Sequence, residues 1–275
     1  MYILKTIIVR ITTVCVVFGG GIVEVFGAQV TPHAAIYEVS LGRATGQNAP
    51  AGLSGTMVYV LKDVCDGFEQ DSSLDVAILN RNGRQSTLRQ SFASFEAKDG
   101  TSSTFEMQIT SDDRILDSYS GGVEIRAQDG TMTYVRPEAR EKADQNQVFN
   151  IKQDAQLSLT FIAEVLEQAQ AGGSFVSRVV ADGLLEDGPN RISAVIGRRG
   201  SEIGNVRDPD GLLSSPPWPA QLAYYPTASS DELPSQELRV EIYEGGIVGF
   251  IDQNLGDYTV LTRLIDLQSA GACED

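Results

Sequence analysis

The sequence predicts a mainly β protein: one antiparallel sheet that curls on itself, with a single helix as plug or lid. Three observations carry this. Apolar and polar residues alternate with period two along much of the chain, Gly-containing pairs punctuate it as hairpin turns, and one segment alone has helical spacing. One helix among many strands does not fit a βαβ pattern.

Taken in order, residues 1–27 read as a cleaved secretory signal. Lys5 and Arg10 form a positive start, Ile11 to Phe18 a short apolar stretch, and Val25-Phe26-Gly27 a small-residue exit. Thr12, Thr13 and three glycines interrupt the apolar run, which lacks the roughly 20 strongly apolar residues of a membrane span. Cys15 leaves with this segment. Residues 28–275 are expected to form one domain. Ala35, Tyr37, Val39 and Leu41 alternate with Ile36, Glu38 and Ser40 as a half-buried strand. Phe105, Met107 and Ile109 repeat the pattern, as do Leu238, Val240 and Ile242. Thr56 to Leu61, Ile247 to Ile251 and Tyr258 to Leu267 are apolar on both faces and read as central strands. Asn82-Gly83, Asp99-Gly100, Asp129-Gly130 and Glu244-Gly245-Gly246 mark turns, for a dozen or more strands in all. Leu157, Phe161, Ile162, Val165, Leu166 and Ala169 define the amphipathic helix, about 157–171, ending at Gly172-Gly173, with Ser158 or Thr160 as its N-terminal cap. Gly42 to Gly52 and Arg198 to Pro219 read as loops.

Composition narrows function. Hydrophobic residues make up 42% and charged residues 21%, an ordinary core-forming balance. The 21 Lys+Arg against 37 Asp+Glu give a net charge of −16. Loss of Lys5, Arg10 and Glu24, two positive charges and one negative, takes it to −17. Such a chain does not bind nucleic acid or anionic lipid through bulk electrostatics. The single histidine, His33, would have to serve any Ser-His-Asp or Cys-His arrangement, and it reads instead as a strand-start residue. No Cys-x-x-Cys or His-Glu-x-x-His motif offers a metal site. Asp208-Pro209-Asp210-Gly211 opens like a calcium loop but lacks the later ligands, so it reads as a turn. Gly197-Arg198-Arg199-Gly200 reads as a hairpin tip, not a nucleic-acid loop.

Two constellations remain. Asp66, Asp182, Asp252 and Asp257 lie at strand ends beside Gly or aromatic residues, where carboxylates cap turns; paired carboxylates could instead serve glycoside hydrolysis. Trp218, Tyr224 and Tyr225, with Phe68, are the candidate lining of a ligand groove, core packing being the competing role. Cys65 and Cys273 are the two cysteines left after signal removal. In an exported chain the simplest pairing is one disulfide, the alternatives being two thiols or an intermolecular bridge. The bridge would tie an early edge of the sheet to its terminal strand and oppose fraying there.

The run His33 to Leu41, then Leu53 to Tyr59, then Val64-Cys65-Asp66-Gly67-Phe68 begins a recognisable order. Ala171-Gly172, Ala181-Asp182-Gly183, Trp218-Pro219 with Leu222-Ala223-Tyr224-Tyr225, Gly246-Ile247-Val248, Asp257-Tyr258 and Cys273 complete it. This order resembles the EipB family of periplasmic cell-envelope-integrity proteins of alphaproteobacteria, over essentially the whole chain after the signal. Phe68 departs from the family's usual Trp, keeping the apolar ring without the indole N–H. The resemblance implies a long antiparallel sheet curled into a spiral or open barrel around the helix, a Cys65–Cys273 disulfide, a role in maintaining the envelope and no catalytic activity. The expected protein is therefore periplasmic, monomeric and non-enzymatic, without metal or cofactor and without a membrane span once the signal is cut. It would bind an envelope lipid, a lipoprotein segment or a peptide. The competing readings are an envelope hydrolase using paired carboxylates and a LolA/LolB-like lipoprotein carrier. The first needs two acids in a cleft, one with a raised pKa; the second needs a continuous apolar cavity.

Overall fold

The computed structural model describes residues 30–126, 129–136, 146–151, 155–184, 188–200, 204–228 and 233–273. The expected signal segment, Cys15 included, lies outside these residues. Eight strands come first: β1 (His33–Ala44), β2 (Gly52–Asp63), β3 (Gly67–Leu79), β4 (Gln85–Ala97), β5 (Ser102–Ser111), β6 (Arg114–Ile125), β7 (Gly130–Val135) and β8 (Asn146–Ile151). The two-residue β9 (Ala155–Gln156) and helix α1 (Ser158–Gln170) follow. The rest of the chain is β10 (Phe175–Val180), β11 (Asn190–Ile196), β12 (Trp218–Pro226), β13 (Gln236–Ile242), a 3-10 turn at Glu244–Gly246, β14 (Val248–Asn254) and β15 (Tyr258–Ser269).

All fifteen strands belong to one sheet, ordered β8-β7-β6-β5-β4-β3-β2-β1-β15-β14-β13-β12-β11-β10-β9. Every pair is antiparallel except β9 with β10, which is parallel. The sheet ends, β8 and β9, are separated along the chain only by the four peptide steps from Ile151 to Ala155, at most about 15 Å. A fifteen-stranded sheet whose ends are held that close must curl into a barrel-like form. Among the described residues no ladder joins the two ends, so its seam stays unsealed. The runs apolar on both faces lie in β2, β14 and β15, each paired on both sides, as two-faced burial requires. The last strand is thus not an edge: β15 pairs with β1 and with β14.

Alternation sets the inner face. Ala35, Tyr37 and Val39 are buried while Glu38 between them is exposed. Directly opposed antiparallel residues share a face, so the inner row of Ser94, Phe105, Gly121 and Tyr134 follows from the register. One cluster in the β4–β8 half is aromatic: the Phe105 and Tyr134 rings are 5.1 Å apart and those of Tyr119 and Tyr134 5.6 Å. In the β10–β13 half, Ile192, Trp218, Leu222 and Ile242 form a second cluster.

Helix α1 bridges the two. Leu157 just before it belongs to the aromatic cluster, and Leu159 joins Val30, Leu61 and Phe68. Phe161, Val165, Leu166 and Ala169 pack into the β10–β13 cluster. Burying each large side chain contributes roughly 2 kcal/mol, which is why a single helix can seat firmly inside the curl. Its end is a Schellman turn: Gly172 adopts φ +78°, its N–H donates to Ala169, and the Gly173 N–H donates to Gln168.

Candidate functional site

The helix start differs from the sequence expectation. The N-cap residue is Leu157, which has no capping side chain, and neither Ser158 nor Thr160 caps its own helix. Glu96 on β4 does so from across the barrel. Its carboxylate accepts the Leu159 N–H at 3.1 Å and the Thr160 N–H at 3.2 Å, with the Ser158 and Thr160 hydroxyls at 3.3 and 3.4 Å. These satisfy donors that a helix start leaves open. Glu96 is 4% exposed. Desolvation pushes its pKa up to about 7 against the lowering effect of those hydrogen bonds. The sequence held the signal for this: Glu96 lies four residues after the buried Phe92 on one strand, so period two turns it inward.

His33 opens β1 and is buried, its ring 5.3 Å from Tyr59 and its Nδ1 2.7 Å from the Thr31 carbonyl. Burial lowers its pKa. Tyr59 donates to Gln70 Oε1, and Gln70 Nε2 to the Ser94 hydroxyl. No carboxylate or nucleophile hydrogen-bonds to His33 among the described residues.

The four aspartates singled out in the sequence occupy separate places. Asp66 sits in the β2–β3 turn, where its carbonyl accepts the Lys98 N–H. Asp182 Oδ1 accepts the Leu184 N–H at 2.9 Å in a turn through Gly183, and burial pushes its pKa up to about 6. Asp252 lies on β14, opposite Arg239 and Leu261. Asp257 caps the loop after β1, its side chain accepting from Asn48 and its carbonyl from Thr45 and Gly46. Asp208 likewise accepts the Leu212 and Leu213 N–H groups.

The proposed groove aromatics are also dispersed. Phe68 is buried beside Leu61 and Leu159, with Lys98 Nζ 5.6 Å from its ring centre. Trp218 and Tyr224 pack with the α1 cluster, and the Arg199 guanidinium lies 3.8 Å over the Trp218 ring. Arg199 also pairs with Glu244, so the Gly197 to Gly200 segment closes over the barrel wall. Tyr225, next in sequence to Tyr224, points to the opposite face beside Arg191. Strand parity separates that pair, and strand order separates Phe68 from the rest.

Cys65 and Cys273 form a disulfide, with Cα atoms 5.1 Å apart at a sequence separation of 208. Cys65 takes φ +69° in the β2–β3 turn. That turn is fixed by its N–H to Asp63 Oδ1 at 2.9 Å and by the Asp63–Lys98 ion pair at 2.7 Å. Because β15 is central, the bridge fastens the tail after β15 to this turn instead of pinning an edge strand.

Three recesses line the outer face of the barrel wall. A recess of about 790 Å³ crosses β3–β7 and overlaps one of about 410 Å³ through Asp71, Ala93 and Glu106. A third, of about 380 Å³, continues it through Val58, Ser73, Ser91 and Gln108. Together they make one trough on the outer face of β2–β7. Its floor is low because Ser73, Ser91, Ala93, Ser120 and Gly122 are small. No motif in the sequence marks these outward positions, since the row that aligns them crosses strands and depends on register.

Fold and site together define a barrel-like β protein with a helix inside and a trough of mixed polar and apolar lining outside. The EipB-like family model matches residues 26–270, and the chain belongs to that family. It is 22% identical over 255 residues to the cell envelope integrity protein EipB of Brucella abortus, covering 91% of this chain and 88% of that one. A crystal structure of a beta-barrel-like protein of a domain of unknown function from Brucella abortus superposes with a TM-score of 0.77 at 21% identity, over 88% of this chain and 99% of that one. The fold is shared. No helix among the described residues is long and apolar enough to cross a membrane.

Proposed function

We propose that this protein supports cell-envelope integrity from the periplasm as a non-enzymatic binding protein, and that its ligand is a polypeptide segment. The observation that carries the ligand class is the outer trough of β2–β7, long and shallow-floored, with carboxylates and hydroxyls along it. An extended backbone suits such a surface; an acyl chain needs a continuous apolar cavity. The envelope role is supported by family membership and by the name of the Brucella relative.

Against the hydrolase reading stand the surroundings of the two carboxyls with raised pKa among the described residues. Glu96 spends its oxygens on the start of α1, and Asp182 caps its own turn. Native mass spectrometry of protein released gently from the periplasm tests the ligand class: a peptide adduct is expected, and a stoichiometric phospholipid or acyl adduct would overturn it. Complementation tests the absence of catalysis. A deletion strain sensitive to detergent should be rescued by a folded Glu96→Gln, Asp182→Asn double variant as well as by wild type. Failure of that folded variant would restore the hydrolase.

A further inference from the structure

The outer trough carries a pattern that specifies its occupant more closely. One cross-strand row of outward residues runs Val60, Asp71, Ala93, Glu106, Ser120 and Val135, each directly opposite the next on β2 to β7. Asp71 and Glu106 flank Ala93, two strand spacings or about 10 Å apart. Glu69 adds a third carboxylate to the same recess. Among the described residues none of these three takes part in an ion pair, whereas Asp75 at the far end is held by Arg89, which also holds Asp113. Among the described residues lining the trough Arg89 is the one cation, and it is already engaged. At the row's far end Val135 is 42% exposed, and Val58, beside Val60 on the same face, is 38% exposed.

We propose that this trough binds a basic polypeptide segment in the polyproline-II conformation, with two Lys or Arg three positions apart facing Asp71 and Glu106 and apolar residues at its ends toward Val60 and Val135. The proposal rests on the polypeptide reading above and adds charge and register to it. Five strand spacings from Val60 to Val135 span about 24 Å, the length of about eight extended residues. A polyproline-II segment has three residues per turn and rises about 3.1 Å per residue, so side chains three positions apart share a face and stand about 9 Å apart, which matches the carboxylate spacing. The apolar residue three positions further falls on the same face, toward Val135. Unpaired carboxylates in a recess gain more from a cation than fully exposed ones do, because water screens them less. The net charge of −16 draws basic segments in and repels nucleic acid and anionic lipid.

Fluorescence anisotropy on the purified protein tests this with three capped, labelled octapeptides. The basic probe is Val-Lys-Ser-Ser-Lys-Ser-Ser-Val; the others carry Gln or Glu in place of both Lys. The basic probe should bind at least about tenfold more tightly than the Gln probe, the Glu probe should not bind, and 0.5 M NaCl should erase the difference. An Asp71→Asn, Glu106→Gln double variant should lose the same factor, and Ala93→Trp, which fills the floor, should abolish binding. All three positions are outward and exposed, so unchanged thermal melting certifies the fold. Equal binding of the basic and Gln probes, with Ala93→Trp still abolishing both, would overturn the charge inference and leave the polypeptide reading standing. Absence of all peptide binding together with binding to phosphatidylethanolamine–phosphatidylglycerol vesicles would overturn both.

Discussion

At Glu96 two effects oppose each other. Four donors at the start of α1 favour the carboxylate, while burial beside Leu159 and Phe68 disfavours any charge, and burial wins. The folded-state pKa, about 7, is above the ordinary value of 4.5. A carboxyl raised in this way stabilises the fold most below about 4.5, and its contribution fades as pH climbs through 7. Relative to Glu96→Gln, wild type should therefore lose roughly 2–4 kcal/mol of stability between pH 4.5 and 8. Urea denaturation of both proteins across that range checks it; a constant or growing difference would show that the hydrogen bonds dominate. Gly183 poses a different residue-scale problem. Its φ of +72° is strained for other residues, and a Cβ there would run into the Phe105 ring. Gly183→Ala should cost about 2–4 kcal/mol, read as a lower melting temperature, with the loss centred on the aromatic cluster.

Helix α1 shows what a sequence reveals about an element and what it hides. The spacing of Phe161, Val165, Leu166 and Ala169 and the Gly172-Gly173 stop are local, so its span was legible to within a residue at each end. Its cap was not, because Glu96 lies 62 positions before Ser158. The strands divide in the same way. Alternation in β1, β5 and β13 displays their buried faces, whereas β9 has only two residues and no period to read. The trough was illegible for a third reason: Asp71, Ala93 and Glu106 become neighbours only through register. If α1 is held mainly by its apolar face, Phe161→Ala should cost about 3–5 kcal/mol. Hydrogen exchange should then show α1 and β10–β12 opening before β3–β5, since Phe161 packs only in the former half. Uniform opening would mean that the two halves unfold as one unit.

For the whole molecule the decisive fact is where the ends of the chain fall in the sheet. The two sheet edges, β8 and β9, come from the middle of the sequence, while the first and last strands meet at its centre. The sequence suggested a bridge holding a fraying last strand; the order shows β15 laddered on both sides, so the disulfide has another task. It closes a loop spanning 208 positions, which contains nearly the whole sheet. In the chain-entropy treatment a loop of that size is worth about 5 kcal/mol, a large share of a typical 5–15 kcal/mol. Cys65→Ser and Cys273→Ser should each lower stability by similar amounts, roughly 2–5 kcal/mol, and the double variant should lose no more than either, because both remove one shared bond. Reductant should lower the melting temperature of wild type and leave the double variant unchanged. The site of the effect separates the two roles. With the bridge acting on the unfolded chain, reduced native protein should keep β15 amides protected and lose protection only in the tail after Ser269 and the β2–β3 turn. Early exchange along β15 itself would show instead that the bond holds the central strand in place.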